Sequence, residues 1–221
     1  MLKPSLELEP TDFNLPFIQT ADRKLALTDV EAVLSSHYQN TPYDPLGHGS
    51  DADKHRFRPI SLNRTQNSHI LQVRSDLPAV ASTIMWMTLG IPTFTPYVPF
   101  FGNADWLDAS YRITPKKMNL DFKSAYWMYR GLSMLVESHY PEFIQTDYDY
   151  LKDAREYLYR FVDQTATKTT DLDTNEAIQV LNDASAEMVT EMAKRTKSLM
   201  AQLMMQGLEL SKLTFKMDAN L

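Results

Sequence analysis

Near residue 119 the sequence changes its period, and that change limits the fold more than any single motif. Upstream lie short strand-like runs at 57–62, 68–74, 81–89 and 95–101, parted by turn signals such as "SDLP" at 75–78 and "GIP" at 90–92. Downstream, apolar residues recur every three or four positions. Phe122, Tyr126, Tyr129, Leu132 and Val136 mark a helix over 120–139, ended by Pro141. A second, tyrosine-rich helix covers 144–165. Ile178, Leu181, Ala184, Met188, Met192, Leu199 and Leu203 mark a third over 174–210, with a polar slot near Arg195. Short connections favour an antiparallel meander. A sheet followed by long helices predicts an α+β fold, with helices packed on one face of an antiparallel sheet.

The remaining segments fit around that plan. Residues 1–27 carry three prolines and read as an extended lead-in. Residues 28–38, "TDVEAVLSSHY", read as a short helix. There Thr28 caps the start, Glu31 completes a capping box, and Val30, Val33 and Leu34 form the apolar stripe. Residues 40–56 form a long polar loop, and loops beyond about 15 residues are often functional. The expected organisation is one domain over 1–221: lead-in 1–27, short helix and sheet 28–118, helical layer 119–210.

Several classes are disfavoured. The net charge is -6 and no block of like charges occurs, so neither a nucleic-acid nor an anionic-membrane surface is expected. No stretch of 18 apolar residues exists, so no membrane span is expected. The first residues lack a secretory pattern, and a cytoplasmic location follows as the expectation. The chain has no cysteine, which excludes disulfides, thiolate metal sites and a thiol nucleophile within it. It has no phosphate loop, dinucleotide fingerprint, G-x-S-x-G or H-E-x-x-H. His48 and His55 flank Asp51 and Asp53 without compact ligand spacing, so no metal and no cofactor is expected.

The stretch "SLNRTQNSHILQVR" at 61–74 is unusually polar for a strand. As one uninterrupted strand it would place Arg64, Gln66, Ser68, Gln72 and Arg74 on one face with only Ile70. Asn63, Asn67 and His69 would share the other with Leu71 and Val73. Two readings follow: a solvated strand surface, or a polar ridge along a cleft. In the second, arginine pairs with a carboxylate and Asn or Arg stabilises an oxyanion. His69 has no cysteine or serine motif to serve and reads as structural. Residues 82–101, dense in aromatics and proline, read as a buried strand pair or the apolar wall of a pocket.

Four pieces together resemble one family: "YDPLG" at 43–47, "FRPISLNRTQNSHILQVRSDLP" at 57–78, "IMWMTLGIPTFTPYVPFFG" at 84–102 and "SAYWMYRGLSMLVESHYPEF" at 124–143. Over 28–210 the chain is similar to the C-terminal half of the cysteine dipeptidases of the dipeptidase A type. These are N-terminal-nucleophile hydrolases related to the secernins. The resemblance implies an αββα sandwich, a cysteine at the mature N-terminus whose own α-amino group is the base, dipeptide substrates, and no metal or organic cofactor. It also implies that Asn63 and Arg64 lie near the reacting centre as oxyanion or substrate-environment residues, with Ser68, Gln72 and Arg74 supporting the substrate.

The chain departs from that pattern, since it lacks cysteine and Leu2 follows Met1. The expectation is therefore a C-terminal portion, inactive alone, that partners an N-terminal half carrying the nucleophile and is able to form homo-oligomers. The alternatives are a non-catalytic interaction protein on the same scaffold, docking through the long third helix, and an enzyme that uses Ser68 as nucleophile.

Overall fold

The computed structural model describes residues 12–14, 16–113 and 120–210. It contains one three-stranded antiparallel sheet of β1 (Asn67–Val73), β2 (Thr83–Leu89) and β3 (Val98–Phe101), in that spatial order. Six α-helices surround it among the described residues. They are α1 (Leu27–Leu34), α2 (Asp51–Lys54), α3 (Ala109–Arg112), α4 (Ala125–Ser138), α5 (Tyr140–Lys168) and α6 (Thr174–Leu210). The α+β class and the meander are as the sequence implies. No helix among the described residues is long and apolar enough to cross a membrane.

Several elements differ from expectation for local reasons. The run 57–62 is not a strand: Pro59 has no N–H, and the Ser61 N–H is spent on the Ser36 carbonyl at 2.9 Å. β2 starts at Thr83 because Ala79–Ala81 form a 3-10 turn after Pro78. β3 starts at Val98, since Thr95 Oγ1 turns back to donate to the Ile91 carbonyl at 2.8 Å. Thr28 lies inside α1 rather than capping it, and Asp29, not Glu31, accepts the Ala26 N–H at 2.8 Å. The long loop contains α2, capped by Ser50 Oγ, which accepts the Asp53 N–H at 3.2 Å. Pro141 opens α5 as well as following α4, because the first turn of a helix has no N–H to lose there.

The register puts Ile70 opposite Trp86 and Leu71 opposite Met85, which in turn faces Phe100. One sheet face therefore carries Ile84, Trp86 and Phe101. Helix α5 covers it, with Tyr159 edge-on to Trp86 at 5.2 Å and Phe161 at 6.1 Å from Phe101. On the other face Phe100 is covered by Tyr111 of α3, 4.9 Å away. That cover does not reach β1, where Leu71 and Val73 are 74% and 77% exposed. β1 is an edge strand with no strand partner on its outer side among the described residues. Gly90 closes β2 at φ +88, where a Cβ would also press on the Tyr129 backbone at 3.3 Å.

Candidate functional site

The richest polar chemistry lies where α1 meets α5. The sequence puts Val33 on the apolar stripe of α1 and gives Glu31 a capping role; the structure exchanges their places. Glu31 is buried, whereas Val33 is exposed. The reversal has a cause on α5, one turn apart: Arg155 Nε donates to Glu31 Oε2 at 3.0 Å and the Tyr159 hydroxyl donates to Oε1 at 3.2 Å. Burial pushes the Glu31 carboxyl up, and Arg155 and Tyr159 pull against it.

This pair walls a cavity of about 400 Å³ between α1, the loop at 92–97 and α5. Tyr97, Tyr148 and Lys152 line it as well. The Tyr97 hydroxyl donates to Ser68 Oγ at 2.9 Å, which ties β1 to the cavity. Burial raises the Tyr97 phenol, so it stays a donor at neutral pH.

His37 and Thr93 line both this cavity and a second one of about 280 Å³, lined also by His55, Arg58, Ser61 and Asn63. The His37 ring is buried. Its Nε2 lies 3.1 Å from the Tyr140 hydroxyl and 3.7 Å from Asp44 Oδ2. Its Nδ1 lies 3.5 Å from Thr93 Oγ1, which stands 2.7 Å from Ser61 Oγ. Burial lowers the imidazole and Asp44 partly opposes it, which favours the neutral ring.

The residues singled out from the sequence do not converge. The stretch 61–74 is not one strand: 61–66 is irregular, with the Thr65 N–H on the Leu62 carbonyl at 2.9 Å. Asn63 borders the second cavity, and its carbonyl accepts from Arg130 at 2.8 Å. Arg64 is exposed and pairs with no side chain among the described residues. Ser68 reaches the first cavity only through Tyr97. Gln72 accepts the Trp86 indole N–H at 2.8 Å. Arg74 is held by Asp76 at 2.9 and 2.6 Å and by Asp163 at 3.2 Å. A seven-residue strand, about 20 Å long, separates Arg64 from Arg74. His69 stands on the exposed face opposite Met87.

Sequence reasoning missed Glu31, His37, Tyr97 and Arg155. No signal within α1 points to them, since the partner of Glu31 lies 124 residues away. Among the described residues, no three or more His, Asp or Glu side chains are grouped to hold a metal.

Comparison with known proteins places these residues in context. Residues 1–153 match the family model described as Peptidase family C69. The chain belongs to this family. Among similar proteins, a probable dipeptidase of Latilactobacillus sakei is 46% identical over 220 residues, covering all of this chain and 46% of the relative. A probable dipeptidase B of Lactococcus lactis is 39% identical over 137 residues, which is 62% of this chain and 28% of the relative. Dipeptidase A of Lactobacillus helveticus is 29% identical over 199 residues, 90% of this chain and 41% of the relative. The chain therefore spans less than half the length of these relatives.

Proposed function

We propose that this chain is the C-terminal portion of a C69 dipeptidase and contributes to hydrolysis of the peptide bond in short peptides, in the cytoplasm. The observation that carries the reading is the match to the Latilactobacillus sakei probable dipeptidase, which runs the length of this chain yet covers 46% of that relative. The nucleophile belongs to the N-terminal half. Its terminal cysteine thiol attacks the peptide carbonyl and the α-amino group takes the proton. The tetrahedral oxyanion collapses to an acyl-enzyme, expels the amine, and water releases the acid.

Two features of this chain support the reading. It contains no cysteine, so it holds no thiol for that step. Among the described residues β1 has an unpaired edge flanked by exposed Leu71 and Val73, a surface suited to an adjoining half. Arg64, without a side-chain partner among the described residues and next to that edge, and Asn63 beside it are assigned to the oxyanion and substrate environment. Ser68 is a supporting residue through Tyr97, while Gln72 and Arg74 act by holding β1. A second reading is a non-catalytic interaction protein, favoured by exposed Met204, Met205 and Leu208 near the end of α6.

The test is complementation. This chain is mixed with a separately produced cysteine-led N-terminal half, and amine release is followed over a dipeptide panel. Activity in the mixture alone is expected. Activity of this chain by itself overturns the missing-nucleophile argument. Two folded halves without activity favour the interaction protein.

A further inference from the structure

Arg155 spends only its Nε on Glu31, and no partner takes its two terminal nitrogens among the described residues. Its side chain is 45% exposed while that of Glu31 is 5% exposed, so the guanidinium is anchored at its buried end and open at the other. That is the preorganised fork which binds a carboxylate in two parallel hydrogen bonds. Lys152, three residues earlier on α5, lines the same cavity, is exposed, and forms no ion pair among the described residues.

We propose that the cavity between α1 and α5 binds the terminal α-carboxylate of a short peptide or free amino acid, with Arg155 as the fork, Lys152 as the second cation and Glu31 as the residue that positions Arg155. The choice of a peptide rests on the dipeptidase reading; the geometry does not.

Charge balance selects the class of anion. Two cations stand against one carboxylate, so the site has a single positive charge to offer. A monoanion neutralises it, whereas a phosphate dianion would press its second charge on Glu31. Size selects further: about 400 Å³ lies near the lower end of ligand cavities, which run from roughly 300 to 1,000 Å³. The walls are mixed, with Tyr97, Tyr148 and Leu158 giving apolar contact to a side chain and Gln39 and Asn40 giving polar groups to a peptide unit.

The experiment is calorimetric titration of the whole chain with alanyl-leucine, with its C-terminal amide, and with inorganic phosphate. Alanyl-leucine is expected to bind at least tenfold more tightly than the amide or phosphate. Arg155→Gln should weaken alanyl-leucine binding at least tenfold, and Arg155→Lys should restore part of it. Should Arg155→Gln fail to fold by circular dichroism, Lys152→Glu carries the test, since that exposed side chain forms no ion pair among the described residues. It should weaken binding several-fold. Equal binding of acid and amide, no binding of the acid, tighter binding of phosphate, or indifference to the variants overturns the proposal. Hydrolysis by the complemented enzyme is scored separately. Hydrolysis without binding here removes the carboxylate site and leaves the peptidase reading. Binding without hydrolysis retains the site and removes the peptidase reading.

Discussion

Asp147 has a carboxyl group in a place that offers it nothing. It sits on α5, fully buried, one turn beyond the buried Phe143, and neither of its oxygens has a hydrogen-bond partner among the described residues. Burial alone holds its carboxyl well above the usual carboxylate range. The sign follows from linkage. The folded state binds the proton more tightly than the unfolded state, whose value is about 3.9. The contribution to stability is therefore whole below that pH and is lost as pH rises toward the folded value. Asp147→Asn removes the titration and keeps the shape. Urea unfolding should find the variant more stable at neutral pH by about 1–3 kcal/mol, with a difference that shrinks as the pH falls toward about 4 and vanishes below it. A wild-type midpoint that stays flat across this range would remove the argument.

Elements were legible where their signal was local. α6 keeps the bounds its apolar period indicates, because one long amphipathic face buries Leu181, Met188, Met192 and Leu203 whatever lies opposite. The meander was legible from its turns. The run 57–62 was not, since Phe57 and Ile60 promise a strand while Pro59 and the Ser36 contact withhold the ladder. The candidate site was legible least. Glu31 turns inward only because α5 brings Arg155 and Tyr159 to it, and no period within eight residues of α1 reports that. β1 shows the opposite fault: its polar Ser68 and Gln72 face the covered side and its apolar Leu71 and Val73 face out. On the proposed function, the N-terminal half supplies the surface that covers this apolar row outside an edge strand. Leu71→Lys with Val73→Lys should then change the stability of this chain by no more than about 0.5 kcal/mol, as exposed substitutions do. The same pair should abolish complementation of activity by the cysteine-led half. Full complementation by the double variant would place the seam elsewhere.

Considered whole, the molecule has a sealed side and an open one. The helices α4, α5 and α6 enclose Met128, Leu132, Phe143, Leu158 and Met188, which are almost without exposure. The sheet is enclosed on its α5 face and stays open along β1. An unpaired edge beside exposed apolar side chains is a template for another strand, and a second copy of the chain presents the same template. Alone, the chain should therefore associate with itself in a concentration-dependent way through β1. Sedimentation velocity should show a weight-average coefficient that rises with loading concentration. The Leu71→Lys, Val73→Lys variant should sediment as a monomer throughout. Adding the cysteine-led half should replace the self-associated species with a heterodimer, because both partners compete for one edge and mass action favours the better-matched surface. A wild-type coefficient independent of concentration would mean that β1 is protected without a partner. The exposed Leu71 and Val73 would then need an explanation within the single chain.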